Sequence, residues 1–224
     1  MDKYGDTTEK KAAMKLLDLF CCAGGAGMGY HRAGFEVVGV DIEPQPNYPF
    51  EFHQADALTF PTEGFAAIHA SPPCQRFSAA SRCRAGLADQ YPDFIIPIRE
   101  RLRAAGVPYV IENVPGAPLK NPTLLCGQMF GLDLFRHRIF ESNIELPFLL
   151  HTHSKPGSKA GGGGAKRGGW VPGKIISIAG NCAPIAEARR VMEIDWTTRD
   201  ELAEAIPPAY TEFIGRELQR ILNR

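Results

Sequence analysis

No stretch of this chain stays apolar for the ~20 residues that a bilayer crossing needs. The opening from Met1 to Lys15 is polar and mixed in charge, without the apolar core of a secretion signal. Neither a membrane span nor an exported precursor is expected. A disulfide framework is missing too: the six cysteines are scattered, two of them adjacent as Cys21 and Cys22, and no C-x-x-C pair occurs. Such usage fits a reducing, cytoplasmic setting. Charge of one sign is also absent, since 25 basic and 25 acidic residues cancel. Proteins permanently coated with nucleic acid are usually basic, so any such contact here must come from local patches.

What is present is core-forming material. Hydrophobic residues make up 44% and charged residues 22% of 224 positions, enough for one domain or one domain with a small appendage. Residues 15–141 alternate short apolar runs with helical spacing. Lys15–Phe20, Glu36–Ile42, Phe65–Ala70 and Tyr109–Val114 read as strands, with Gly25–Ala33 and Pro92–Ala105 as helices between them. Phe94, Ile98 and Leu102, four apart, share one helical face. That alternation predicts a doubly wound, mostly parallel α/β sheet covered on both faces. After residue 142 the texture changes. His151–Lys174 carries eight glycines, five basic residues and no acid, and reads as a loop that cannot form a core. Lys174–Ala179 returns to strand composition. Pro208–Asn223 has the spacing of a docking helix, with residues 184–224 returning to the main domain and residues 1–14 forming a polar tail.

The chemistry-bearing residues cluster at predicted strand ends, where open α/β sheets bind their ligands. Asp18 to Gly27 ends the first strand in a small-residue turn, Cys21-Cys22-Ala23-Gly24-Gly25, of the kind that lets a ligand approach the backbone. Dinucleotide sites use such turns as well. Asp41 at the end of the second strand is placed to accept hydrogen bonds from ribose hydroxyls. Asp56, ahead of Ala57, either reads an adenine amino group or serves as a turn or cap aspartate. In Ser71-Pro72-Pro73-Cys74-Gln75 the prolines fix φ and present the thiol rather than fold it away. Glu112 ends another apolar strand, and a carboxylate there must be paired or functional. Arg136 and Arg138 precede the apolar pair Ile139-Phe140.

Together and in this order, these residues resemble the DNA cytosine-5 methyltransferase family. The similarity covers roughly residues 15–141 and 185–222: Asp18 to Gly25, Asp41, Asp56, Pro73-Cys74-Gln75, Glu112-Asn113-Val114, Leu134 to Arg138, and Ala205-Ile206-Pro207-Pro208 through Ile214-Gly215. The resemblance implies a Rossmann-like methyltransferase fold with a small basic, glycine-rich recognition insert between residues 142 and 183. It implies S-adenosyl-L-methionine as cofactor, held by Phe20, Ala23, Gly24, Gly25, Asp41, Ile42, Asp56, Ala57 and Pro73. It also implies double-stranded DNA as partner, with the target base flipped out, and Cys74 as nucleophile with Glu112, Arg136 and Arg138 around it. Arg136 is expected to lower the thiol pKa, and Arg138 to bind the base and place Glu112. A monomer is expected, and a partner restriction nuclease is compatible. Cys22, Leu134, Ala203 and Glu204 depart from the family pattern.

Alternatives remain open: an RNA cytosine-5 methyltransferase with the same catalytic residues, or a silent binding subunit, which intact Cys74, Glu112 and Arg138 disfavour. Cys126, His151, His153 and Cys182 surround the variable region, but their spacing matches no zinc motif, and no metal is expected. Six arginines between Arg76 and Arg103, with Lys155, Lys159, Lys166, Arg167 and Lys174 of the loop, are the expected contacts to a nucleic-acid backbone.

Overall fold

Continuous apolar runs become strands buried on both faces, as a parallel sheet requires. In the computed structural model, which describes residues 13–78, 81, 83–151, 158–160, 175–178 and 184–224, β1 (Lys15–Leu19), β2 (Glu36–Asp41), β4 (Ala67–Ala70) and β5 (Tyr109–Asn113) run parallel. Side chains alternate about the sheet. Leu16, Val37, Ala67 and Val110 enter the core on one face, while Leu17, Val40, Ile68 and Ile111 enter it on the other. β3 (Glu51–Gln54) closes one edge in parallel with β2, and its polar sequence blunts that edge. β7 (Arg138–Ser142) runs antiparallel to β5, and β6 (Thr123–Leu125) antiparallel to β7. The strand order is β3-β2-β1-β4-β5-β7-β6. The order reverses between β1 and β4, which opens a crevice at their carboxyl ends.

The helices cover both faces. α1 (Gly25–Arg32) lies with the C-terminal α5 (Pro208–Leu222), whose Tyr210, Ile214 and Leu218 are fully buried in the first core. That is the docking helix the spacing predicts. Backbone contact between the two is close: Thr211 Oγ1 donates to Ala26 O at 2.8 Å, and a Cβ on Gly29 would collide with Thr211 Oγ1 and the Pro208 carbonyl. α2 (Ile95–Ala105) buries Ile98 and Leu102 on the opposite face. It starts later than its sequence pattern indicates, because Asp93 Oδ1 accepts from Ile95 N at 2.8 Å and sets the first turn there.

A second, smaller core lies to one side. Leu134, Ile176, Ile178, Ala188, Val191, Met192, Ile194, Leu202 and Ala205 pack together. They draw on α3 (Ile185–Met192), α4 (Arg199–Glu204) and β9 (Ile176–Ile178), which pairs in parallel with β8 (Ser158–Ala160). α4 begins with a capping box between Thr198 and Glu201. Leu134, where the family pattern has Gln, is fully buried here and bridges to Ile176. The expected strand at Lys174–Ala179 is present as β9. Of the expected basic loop, only His151 and residues 158–160 are described; the rest, including Lys155, Lys166, Arg167 and Lys174, lies outside the described residues. No helix among the described residues is long and apolar enough to cross a membrane.

Candidate active site

Beyond β1 the chain makes an unusual turn. Phe20 (φ 56°), Cys22 (φ 43°) and Gly24 (φ 82°) all adopt left-handed backbone conformations, which non-glycine residues hold only where the surroundings fix them. Here Cys21 N donates to Val40 O at 3.1 Å, Cys22 N to Asp41 Oδ2 at 3.0 Å, and Trp196 Nε1 to Ala23 O at 2.8 Å. Asp41 accepts a second backbone bond from Glu43 N on Oδ1 at 3.1 Å. Each carboxylate oxygen therefore keeps acceptor capacity for a further donor. Next to it Ile42 is 66% exposed, an apolar side chain open at the crevice among the described residues. Asp56 is exposed and its Oδ1 accepts from Leu58 N at 2.8 Å, so the turn role is realised and one oxygen is committed to it. Gly25 has a role inside the protein: a Cβ there would lie 2.6 Å from the Ile206 carbonyl.

Across the crevice, the loop after β4 carries Cys74. Asn113 Nδ2 donates to Pro72 O at 2.9 Å, while Asn113 Oδ1 accepts from Val114 N at 3.0 Å. The end of β5 thus pins the proline loop. Cys74 is half-buried and starts a short 3₁₀ turn over Gln75–Phe77, its carbonyl accepting from Phe77 N at 2.9 Å. Glu112 is 6% exposed and forms an ion pair with Arg138, Nε to Oε1 at 3.0 Å. The two meet by distance without hydrogen-bond alignment, so Oε1 is a buried acceptor lacking a directed donor. Burial pushes the Glu112 carboxyl above its usual range, opposed by Arg138, then Arg136, then the Ser71 hydroxyl. Burial likewise pushes the Cys74 thiol up; Arg138 opposes this, Glu112 adds to it, and Arg136 opposes it more weakly than Arg138.

Arg136 thus acts on the thiol in the expected direction, but less than Arg138 does. It is 4% exposed, and its guanidinium donates to Ile178 O and Ala203 O, both at 2.8 Å. Burial lowers its pKa to about 9. Arg136 ties the sheet to the second core, and Arg138 is the stronger cation acting on the thiol. The arginines between Arg76 and Arg103 are also largely committed. Arg99 is buried in a bidentate pair with Glu141, both contacts at 2.7 Å. Arg101 bonds the Ala57 and Phe60 carbonyls, and Arg76 the Tyr91 carbonyl at 2.8 Å. Arg103 Nε donates to Tyr109 Oη at 3.5 Å, and Arg82 lies outside the described residues. Arg84 is exposed. A run of basic residues in sequence is here mostly internal scaffolding.

Sequence reasoning missed a buried polar chain behind Glu112. His69 lies in fully buried β4, Nδ1 at 2.9 Å from Tyr30 Oη and Nε2 at 2.7 Å from Ser71 Oγ. Burial pushes His69 down to about 3, so the ring is neutral and donates from one nitrogen only. If Tyr30 donates to Nδ1, then Nε2–H donates to Ser71, and the Ser71 hydroxyl is left to donate to Glu112. The available signal was a lone histidine in the apolar run Ala67-Ile68-His69-Ala70.

The model of the C-5 cytosine-specific DNA methylase family matches residues 14–123, a span that takes in Cys74 and Glu112 and ends before Arg136 and Arg138. The chain is 32% identical over 122 residues to the type II methyltransferase M.HgiGI of Herpetosiphon aurantiacus, an alignment covering 47% of this chain and 94% of that protein. Among solved structures, a DNA modification methyltransferase encoded within an E. coli prophage superposes with a TM-score of 0.64 at 14% identity, covering 95% of this chain and 100% of the other. The EhMeth methyltransferase of Entamoeba histolytica gives 0.59 at 12% identity, covering 95% and 99%. The Dnmt2 methyltransferase of S. pombe gives 0.58 at 14% identity, covering 95% and 100%. At such identities the structural likeness is one of fold, the Rossmann-like methyltransferase sheet. The sequence matches carry the rest: the chain belongs to the C-5 cytosine-specific DNA methylase family.

Proposed function

We propose that this protein transfers a methyl group from S-adenosyl-L-methionine to C5 of cytosine in double-stranded DNA through a covalent bond to Cys74. One observation carries the reading: Glu112 of β5 pairs with Arg138 of β7 at 3.0 Å, and both act electrostatically on Cys74 in the loop after β4. β7 is antiparallel to β5, with Asn113 opposite Ile139, so the start of β7 and the end of β5 share one edge. The residues of the crevice fit the cofactor. Asp41 retains acceptor capacity for ribose hydroxyls, exposed Ile42 offers an apolar face for adenine, and Phe20, Ala23 and Gly24 form the turn beside them. When bound, the cofactor supplies an electrophilic methyl group.

The chain's own residues prepare cytosine to receive it. The Cys74 thiolate bonds to C6, and Glu112 protonates or hydrogen-bonds N3 to absorb the developing charge. After methylation at C5, the C5 proton leaves and the C6–S bond breaks, restoring the ring. The two titrations assist each other. A proton on Glu112 removes the anion that raises the Cys74 pKa, so the state able to donate at N3 is also the state that favours thiolate. Arg138 stands beside both groups. C6 is inaccessible in a stacked duplex, so the base must flip out. With most of the Arg76–Arg103 charge used internally, Arg84 and the basic residues of 151–174 are the candidates for phosphate contact. The type II name of the Herpetosiphon relative supports a pairing with a restriction nuclease.

The test is trapping on 5-fluorocytosine, whose C5 fluorine cannot leave as a proton does. Incubation with cofactor and duplex DNA carrying the analogue is expected to give a protein–DNA adduct resistant to denaturation. An adduct with analogue-containing RNA and not DNA would replace the substrate. An active enzyme that traps neither would remove the covalent step.

A further inference from the structure

His137 lies between Arg136 and Arg138 and takes no part in the chemistry proposed above. Its Nε2 is 3.1 Å from Nε2 of His151, with the two rings perpendicular at 88°. Cys126 completes the group: its sulfur and a nitrogen from each histidine all lie within 4.8 Å of one another. The sheet register accounts for two of the three. β6 and β7 pair Leu124 with Ile139 and Leu125 with Arg138. Cys126 continues in extended conformation, φ −141° and ψ 146°, so one further step sets it opposite His137. His151 returns to the same point after the chain has left β7.

We propose that Cys126, His137 and His151 form a zinc-binding site. One thiolate and two imidazoles make a borderline-soft donor set that suits this ion. With Zn–N of ~2.0–2.1 Å and Zn–S of ~2.3 Å, tetrahedral geometry puts the two nitrogens about 3.4 Å apart and sulfur about 3.6 Å from each. The histidine nitrogens stand 3.1 Å apart, and the three ligand atoms lie within 4.8 Å of one another, so a small closing movement would bring them to that geometry. The imidazole–imidazole contact leaves the thiol out, and the thiol's own contact, a long one from Sγ to Leu134 O at 4.0 Å, is weak enough to give way to a metal. The fourth position falls to water. The sequence offered Cys126 and His151 together with His153 and Cys182, which lie outside the described residues, and no zinc spacing joined them; His137 was not among the candidates. The site fastens the segment leaving β7 to His137, between Arg136 and Arg138 at the entry to β7, so it is a positioning centre.

The test uses the full chain purified without a polyhistidine tag. Metal analysis is expected to find about one zinc per chain, as a single site implies. Replacement by cobalt should give a near-ultraviolet thiolate-to-metal band that is absent from Cys126→Ser. His151 is exposed, so His151→Gln should fold normally and bind zinc at least about ten-fold more weakly. The proposal is overturned if the wild-type chain takes up neither zinc nor cobalt. It is equally overturned if the thiolate band survives in Cys126→Ser, or if His151→Gln binds zinc as tightly as the wild type.

Discussion

The sheet and the second core are built on different principles. In the sheet, each strand contributes alternate residues to two faces, so local periodicity decides what is buried. In the second core, Leu134, Ile176, Ile178 and the residues of α3 and α4 come from separated stretches of chain, and no single stretch announces them. The proposed chemistry sits on the sheet, at strand ends. The second core touches it through Arg136, whose two carbonyl partners, Ile178 and Ala203, belong to that core. A periodic scaffold thus carries the reacting groups, and a non-periodic lobe holds one of the adjoining side chains.

The sharpest way to separate the two is to damage the reacting groups alone. Cys74→Ser is expected to abolish methyl transfer while calorimetric affinity for S-adenosyl-L-methionine stays near wild type, because in the proposed reaction the thiol bonds the base and not the cofactor. Glu112→Gln is expected to lower kcat by about 10²–10⁴, the range of general acid–base catalysis. It should also make Cys74 more acidic, since the anion that raises the thiol pKa is gone. The pH profile of iodoacetamide alkylation would then move to lower pH. Arg138→Gln should move it to higher pH, because the largest opposing charge is lost. An unmoved profile in both variants would mean that these groups do not sense one another.

Breaking the link between the regions gives a different signature. Arg136→Met leaves the Ile178 and Ala203 carbonyls without their donor, each worth about 1–3 kcal/mol when buried and unsatisfied. Denaturant unfolding is expected to show a loss of about 2–5 kcal/mol, with any fall in activity recovered in part at lower temperature. A variant of normal stability that loses methyl transfer would return Arg136 to the catalytic role that its position in the sequence indicates.

Much of the periodic part was legible. β1, β2, β4, β5 and the two helices on opposite faces follow from apolar runs and spacing, and the motif residues fall at strand ends. β3 escaped because Glu51-Phe52-His53-Gln54 is a polar edge strand, held by pairing to β2 rather than by burial. β6 escaped because three residues carry no period. Side-chain partners were the least legible. Nothing along the chain shows that Arg99 would meet Glu141, that Arg136 would face two carbonyls, or that His69 would join Tyr30 to Ser71. Those pairings are set by tertiary distance, with sequence separations of 39 to 67 residues for Tyr30–His69, Arg99–Glu141, Arg136–Ile178 and Arg136–Ala203.

On the cofactor side, Asp41→Ala is expected to weaken S-adenosyl-L-methionine binding by about 1–3 kcal/mol, the loss for charge-assisted hydrogen bonds. Part of that effect is indirect, since Asp41 Oδ2 also holds the turn through Cys22 N. An unchanged affinity would move the ribose site elsewhere.

The smallest expected effect tests that turn itself. Cys22 stands where the family pattern has glycine, and its φ of 43° lies in the left-handed region, which costs a non-glycine residue about 1–2 kcal/mol. Cys22→Gly relieves that strain but gives the unfolded chain more freedom, a loss of about 0.5–1 kcal/mol. The two nearly offset, so the unfolding midpoint should shift only slightly, toward higher stability. Cofactor affinity should hold, because the contact from Cys22 to Asp41 runs through the backbone N–H, which glycine keeps. A fall in stability of more than about 1.5 kcal/mol, beyond what the entropy of glycine can explain, would assign the Cys22 side chain a packing role of its own. Lost affinity at unchanged stability would instead place the thiol against the cofactor.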